Sequence, residues 1–283
     1  GLVYASGVTY RDYFLIWAEN PALFTHFEVG LSEIGRYIGQ LPSDEGVYVS
    51  PPAVNHPSIV LHSGRRQDVK GYNGRACIVL PAATPGNTTY VVIPSQDTNS
   101  ISSLAHYFPQ GTIVARGPLH YNQPYFLAYQ VPTNALAQVE PDYHPRVTWD
   151  DKIQLLGYDL DKPFYHPGET IRLTLYYRRV GEIGADYTVF AQLWGPYNPD
   201  ADGPVWGQDD SEPCRRGYPT SVWDTREIVI DVFSLPIAPG APAGNYDLAM
   251  GFYQWQTLER LPITEATTEV SDSDAAILGP VGI

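Results

Sequence analysis

The segment Ile153–Tyr253 decides the fold, and it contains the runs IQLLGYDL, PGETIRLTLYYR, DYTVFAQLWGP, EIVIDVFSLPI and APAGNYDLAMGFY. Apolar and polar residues alternate within each run, and turn residues such as Pro-Gly and Ala-Gly separate several of them. A period of two buries one face of an antiparallel sheet, and repeated runs of this kind close two sheets on each other. The pattern predicts an antiparallel β-sandwich that is immunoglobulin-like, with a jelly roll as the alternative.

The sandwich is expected to extend over residues 149–283. Its strands are predicted at 153–159, 170–179, 186–195, 204–209, 227–234, 245–254 and 276–282. A sandwich of this type is usually a recognition or support module, because its connections rather than its core carry function.

The first half of the chain mixes helical and strand patterns. Apolar residues recur every three or four positions over Ala22–Gln40, which predicts a helix. Continuous β-branched runs at Ala76–Pro81 and Thr89–Pro94 are typical of parallel strands that are covered on both faces. A second helix is predicted over Ser95–Tyr107. Together these elements predict a small three-layer, Rossmann-like α/β domain over residues 1–134.

Further strands of this first domain are predicted at 47–50, 112–117 and 124–132, with antiparallel pairing near its end. Residues 135–148 lack periodicity and contain two prolines, so they are predicted to form a linker. The fold class expected from the whole chain is therefore α+β with two domains, an α/β domain followed by a β-sandwich.

Charge and hydropathy restrict the partners. The chain has 31 acidic and 17 basic side chains, a net charge of −14. This balance disfavours binding to nucleic acid and to anionic membranes. The sequence has no apolar run of about 18 residues, so no membrane span is predicted.

The beginning of the chain gives two further expectations. Because residue 1 is glycine and the sequence contains a single Met, the chain is expected to be a piece of a longer protein. Its opening run LVYASGV (Leu2–Val8) is predicted to be an ordinary first strand, with the last turn of a membrane helix as the alternative.

Two cysteines are present, Cys77 and Cys214. They lie in different halves of the chain, so two free thiols are the favoured interpretation. A single cross-domain disulfide is the alternative, and it requires an oxidising compartment.

One loop has spacing that suits calcium. Asn198, Asp200, Asp202 and Asp209 occupy positions one, three, five and twelve of a loop in which Gly203 is position six. Alternate oxygen ligands and a glycine bend allow a backbone to wrap around Ca²⁺. An ordinary polar hairpin tip needs the same residue types and is favoured, because no helices flank the loop.

Aromatic residues near this loop form a candidate carbohydrate-binding patch. Tyr197, Trp206, Tyr218 and Trp223 come from neighbouring connections, and sugars stack on exposed aromatic faces. The alternative is that these rings pack in the core or at its rim, where Trp and Tyr contribute most area.

No catalytic residue is predicted. The acidic pairs, such as Asp159 with Asp161, are adjacent along the chain and do not face each other across a pocket. The sequence has no G-x-S-x-G elbow and no histidine pair with zinc-ligand spacing. The chain is therefore not expected to be an enzyme.

The segment RDYFLIWAENPALFTHFEVGLSEIGRYI (Arg11–Ile38) resembles the region that follows the last membrane helix in bacterial polytopic glycosyltransferases of the dolichyl-phosphate-mannose protein mannosyltransferase type. HYFPQGTIVARG (His106–Gly117) and the strands of the second half are similar to the domains that end such chains. One departure is WDTRE (Trp223–Glu227), where the family more often has Pro-Gly before the Glu.

This resemblance implies a non-catalytic, extracytoplasmic accessory region of a membrane-bound glycosyltransferase. Its partner would be the membrane-embedded part of the same polypeptide, and it could bind a glycan or a protein acceptor. The catalytic carboxylates of such enzymes lie on loops between membrane helices, so none is assigned to this chain. The alternatives are a secreted carbohydrate-binding protein and a glycoside hydrolase with an inter-domain site.

Overall fold

The computed structural model describes residues 2–17, 21–81 and 86–283. The chain has a mixed α+β fold with few helices and several β-sheets. It divides into two compact units. Among the described residues, the first unit comprises 2–17, 21–71, 86–101 and 109–134, and the second comprises 72–81, 102–108 and 135–283.

The α-helices of the described residues are α1 (Leu2–Tyr10), α2 (Pro21–His26), α3 (Val29–Gln40), α4 (Pro57–His62) and α5 (Ser100–Tyr107). Helix α1 leads into a π-helical segment over Arg11–Trp17. The ordinary strand predicted at the start of the chain is therefore wrong. None of the helices in the described ranges is long and apolar enough to cross a membrane.

The helix predicted over Ala22–Gln40 is interrupted. It forms as α2 and α3, because Glu28 between them adopts a left-handed conformation with φ 52°. A non-glycine residue in this region cannot continue a right-handed helix. Glu28 accepts a hydrogen bond from Ser58 Oγ at 2.7 Å, which attaches the break to α4.

The first eight strands are β1 (Gly46–Ser50), β2 (Val69–Gly71), β3 (Cys77–Pro81), β4 (Thr88–Val92), β5 (Thr112–Arg116), β6 (Leu119–His120), β7 (Gln123–Pro124) and β8 (Leu127–Val131). The later strands are β9 (Val147–Trp149), β10 (Ile153–Leu160), β11 (Thr170–Arg179), β12 (Thr188–Asn198), β13 (Gly203–Ser211), β14 (Glu227–Pro236), β15 (Asn245–Tyr253), β16 (Ile263–Ala266), β17 (Glu269–Val270) and β18 (Ala276–Gly282).

The first unit is built on a five-stranded sheet in the order β2-β1-β4-β8-β5. Strand β1 pairs in parallel with β2 and β4, whereas β8 pairs antiparallel with β4 and β5. Ile34 and Ile38 of α3 pack on Val47, Val49 and Val91 of this sheet, and all five are buried. The parallel pairing predicted for Thr89–Pro94 and the antiparallel pairing predicted near the end of the unit are both confirmed.

The second unit has two sheets in a sandwich-like arrangement. Their strand orders are β16-β9-β10-β11-β14-β3 and β13-β12-β15-β18-β17. Rings from the two sheets meet between them: Phe252 of β15 lies 5.1 Å from Trp149 and 5.6 Å from Tyr177, measured between ring centroids. Trp149, Tyr177 and Phe252 have no exposed surface, so they lie at the centre of this core.

Strand β3 belongs to the second unit, which corrects the sequence prediction. The predicted strand Ala76–Pro81 is expected in the parallel sheet of the first half, but β3 pairs antiparallel with β14, with Cys77 opposite Asp231 and Pro81 opposite Glu227. All five residues of β3 are buried. A continuous apolar run indicates only that both faces are covered, and it does not identify the sheet that covers them.

Cys77 and Cys214 form a disulfide. The prediction of two free thiols is wrong, and the bond is not a cross-domain link either, because both cysteines belong to the second unit. Cys214 lies in a tight turn in which Cys214, Arg215 and Arg216 have φ values of 57°, 53° and 67°. Left-handed conformations cost roughly 1–2 kcal/mol for each non-glycine residue. Tertiary contacts, the disulfide among them, must therefore hold this turn.

A buried carboxylate supports the same turn. Asp231 of β14 is 1% exposed, and its two oxygens accept the backbone N–H groups of Cys214 and Val232, both at 3.0 Å. Burial raises the pKa of Asp231 to about 7, although these N–H groups and the charge of Arg215 act in the opposite direction.

The raised pKa of Asp231 predicts a pH-dependent stability. An Asp in the unfolded chain titrates near pH 4. Between about pH 4 and pH 7 the folded state holds a proton that the unfolded state has lost, so the free energy of unfolding falls as the pH rises. The slope from one such group is at most about 1.4 kcal/mol per pH unit. Urea denaturation across this window should show the decline, and Asp231→Asn should flatten it; an equal slope in the variant would contradict the assignment.

Candidate functional site

Three of the four aromatic residues predicted to bind sugar are buried. Trp206, Tyr218 and Trp223 are 8%, 1% and 2% exposed, and only Tyr197 is exposed, at 66%. The Trp223 indole N–H donates to the Tyr218 carbonyl at 3.1 Å, and the Tyr218 hydroxyl donates to Glu227 at 2.7 Å. The rings of Tyr218 and Trp223 are therefore closed to a ligand, and Trp206 keeps only a small exposed fraction, so the four residues do not form an exposed aromatic patch.

The predicted calcium loop does not assemble either. Asn198 and Gly203 pair at the tip of the β12–β13 hairpin, whereas Asp209 pairs with Ala191 much farther along the strands. At about 3.3 Å per residue, Asp209 is roughly 20 Å from the tip. It instead forms an ion pair with Arg215 and accepts the Ser234 N–H at 2.7 Å.

The other members of that loop have partners within the hairpin. The Asn198 side chain accepts the Asp200 N–H at 3.1 Å, and Asp202 accepts the Tyr197 hydroxyl at 2.7 Å. Over residues 2–17, 21–81 and 86–283, no three His, Cys, Asp or Glu side chains are grouped to hold a metal ion. The hairpin tip has the geometry of an ordinary polar turn.

The outer face of the five-stranded sheet that contains β12 brings polar and aromatic side chains together. The alternation of residues along β12 determines which side chains lie on this face. Val189, Ala191 and Leu193 point into the core and have no exposed surface. The alternate residues Phe190, Gln192 and Trp194 therefore project from the outer face of the five-stranded sheet.

Glycine allows the Phe190 ring to lie flat on this face. Gly251 of β15 is the cross-strand partner of Phe190. A Cβ at Gly251 would lie 2.7 Å from two atoms of the Phe190 ring and 3.0 Å from the Asp274 carbonyl oxygen. Only glycine fits beneath the ring.

Above this floor lies a cavity of about 240 Å³. We call it the outer-face pocket, and its lining residues are Phe190, Gln192, Asp210, Tyr253, Leu258 and Arg260. Strands β12, β13 and β15 supply the first four residues. The loop between β15 and β16 supplies the other two, so the pocket is built entirely within the second unit.

The pocket places an acid, a phenol and a guanidinium side by side. The Tyr253 hydroxyl donates to Asp210 Oδ2 at 3.3 Å. Loss of hydration raises the pKa of Asp210 above its ordinary value, with the neighbouring Asp209 charge as a smaller cause. The Arg260 guanidinium lies 4.3 Å above the Phe190 ring centroid, a cation–π contact, and donates to the Ser273 carbonyl at 2.6 Å.

Two apolar side chains are exposed beside these groups. Trp255 is 64% exposed, and its ring lies 6.4 Å from the Tyr253 ring between centroids. Leu258 lines the pocket and is 68% exposed. An exposed indole next to convergent hydrogen-bonding groups is the arrangement that a small polar ligand with an apolar face requires.

Another groove in the second unit has fewer groups that could bind a polar ligand. It holds about 600 Å³ and passes Trp206 and the backbone of Pro236–Pro239. No charged side chain of the described residues lines it, and Asn198, one of its few polar groups, already bonds the Val205 carbonyl at 2.7 Å. The outer-face pocket is therefore the better candidate site.

Sequence reasoning missed this pocket. None of its six lining residues is among the side chains that the sequence predicts to bind sugar or calcium. The usable signal was the alternation in β12, which places Phe190, Gln192 and Trp194 on one face.

No family model matches the chain, and no curated protein matches it.

Proposed function

We propose that this chain is a non-catalytic, extracytoplasmic accessory region of a membrane-bound glycosyltransferase, and that it binds glycan. The observation that carries the proposal is the outer-face pocket, which Asp210, Gln192 and Arg260 help to line. The exposed Trp255 ring lies beside it, 6.4 Å from the ring of the lining residue Tyr253 between centroids. Aromatic rings bind the apolar faces of sugars, and carboxylate, amide and guanidinium groups bind their hydroxyls.

The topology supports a finer description of the two units. In the first, β1 is followed by α4 and then by the parallel strand β2, which is a strand–helix–strand crossover of the Rossmann type. In the second, two mostly antiparallel sheets enclose a core of alternate residues, as in immunoglobulin-like sandwiches. We therefore propose a Rossmann-like unit and an immunoglobulin-like unit.

Two features support a position outside the cytoplasm and next to a membrane. The Cys77–Cys214 disulfide is compatible with an oxidising compartment.

Helix α1 carries no charged residue, yet Tyr4 and Tyr10 are 79% and 59% exposed. A short uncharged helix that exposes such rings is poorly stable in water. Contact with the membrane-embedded part of the same polypeptide would cover it.

A glycan array tests the binding function. The chain, expressed with its disulfide intact, should bind at least one class of glycan, and binding of none would contradict the proposal. The same preparation should not hydrolyse chromogenic glycosides. Turnover that disappears when a carboxylate is substituted would instead support a glycoside hydrolase.

The secreted carbohydrate-binding protein stays as the second candidate, because the pocket alone would serve it equally well. The parent gene separates the two. An accessory region requires several apolar segments of about 20 residues upstream. A single short signal peptide at that place would favour the secreted protein.

A further inference from the structure

We infer that the outer-face pocket binds one neutral pyranose unit of a glycan, with the sugar ring against Trp255 and two adjacent hydroxyls between Asp210 and Arg260. This inference rests on the proposed glycan-binding function and names its site and its ligand class.

The size of the pocket points to a single sugar ring. Sites for larger ligands and cofactors usually hold about 300–1,000 Å³, and the outer-face pocket holds about 240 Å³. The rest of a glycan would extend into solvent, because the lining residue Leu258 and the neighbouring Trp255, whose ring lies 6.4 Å from the Tyr253 ring, are both more than 60% exposed.

The hydrogen-bonding groups complement an adjacent pair of hydroxyls. Asp210 uses only Oδ2, for Tyr253, and its Oδ1 has no partner among the described residues. Arg260 donates hydrogen bonds only through Nη1, to Ser273. Its Nε and Nη2 groups make no hydrogen bond to any described residue. One sugar hydroxyl can donate to the carboxylate while its neighbour accepts from the guanidinium.

Charge selects a neutral sugar over an acidic one. Asp210 lines the pocket, Asp247 is the cross-strand partner of Trp194 on the same face, and Asp274 lies near enough to Arg260 to act on its charge. The whole chain has a net charge of −14. The resulting negative potential repels carboxylated and phosphorylated sugars. Arg260 does not reverse this balance, because Asp210 and Asp274 both act on its charge.

Calorimetric titration tests the inference with methyl glycosides of glucose, galactose and mannose, the methyl glycoside of glucuronic acid, and any glycan that the array identifies. Trp255→Ala and Asp210→Asn should each weaken binding of the neutral ligand at least tenfold. Two matched controls on the same sheet, Tyr197→Ala and Asp247→Asn, should leave affinity within twofold. Each variant is first checked for an unchanged Tm, which is expected because these side chains are exposed.

The outcomes separate this inference from the proposed function. If neither the array nor the glycosides bind, the proposed function fails and the inference fails with it. If a glycan binds but Trp255→Ala and Asp210→Asn keep full affinity, only the assignment to this pocket is overturned. Tighter binding of the glucuronic acid glycoside than of the neutral glycosides would overturn the ligand class.

Discussion

Replacing both Cys77 and Cys214 by Ala should lower the free energy of unfolding of the second unit by about 4 kcal/mol. The disulfide joins residues separated by 137 positions, and cross-links that close loops of this length remove about 4–5 kcal/mol of chain entropy from the unfolded state. For a unit of this size the Tm should fall by about 10 °C. The left-handed turn at Cys214–Arg216 adds to the expected effect, because it loses its covalent support.

Calorimetry with and without reductant provides the check. The wild-type chain should lose stability when dithiothreitol is added, whereas the double variant should not respond. Alanine is preferred to serine because Cys214 has no exposed surface and a hydroxyl there would be buried. A wild-type Tm that is insensitive to reduction would contradict the placement of β3 beside β14.

Truncation of Trp223 to Ala should cost about 3–5 kcal/mol. The side chain is 2% exposed, stacks on Tyr177 at 5.9 Å between ring centroids and donates to the Tyr218 carbonyl. Removing it leaves a cavity inside the sandwich and takes the indole N–H away from the Tyr218 carbonyl, and both losses destabilise the folded state.

Tyr197→Ala is the matched control for Trp223. It removes an aromatic ring from the same candidate patch, but Tyr197 is 66% exposed, so stability should change by less than about 0.5 kcal/mol. Denaturant titration of the two variants compares them directly. Equal stability of both would mean that Trp223 does not lie in the core.

The strands of the sandwich were predictable from sequence because each carries its own signal. The predicted ranges 170–179 and 245–254 correspond closely to β11 and β15. Alternation over ten residues is local information, and it depends only on one buried and one exposed face. The short strands β9, β16 and β17 were missed, because two to four residues do not establish a period.

Pairing between distant segments was not predictable in the same way. Strand β3 joins β14 across almost 150 positions of chain, and the disulfide that accompanies it joins Cys77 to a turn rather than to a strand. The sequence of each segment contains no pattern that identifies the segment with which it pairs. The same limit explains the break at Glu28, since its left-handed conformation is supported by contact with Ser58 on α4.

The prediction of the candidate site from the sequence was wrong for a related reason. Trp206 and Trp223 looked suitable because they are large and near a polar loop, yet size also makes them the best core residues. The outer-face pocket combines Gln192, Asp210 and Arg260 from three separate segments. Only the pairing of β12 with β13 and β15, and the path of the loop after β15, bring these side chains together.

The most direct test follows the indole N–H signals of the chain by NMR, with ¹⁵N-labelled tryptophan, while a neutral glycan from the array is added. The chain has six tryptophans, and substitution of each by Phe assigns its signal. The outer-face pocket predicts that the Trp255 signal shifts on binding and that the buried Trp149 and Trp223 signals do not. A glycan that binds while the Trp255 signal stays fixed, or that shifts only the buried indoles, would contradict it.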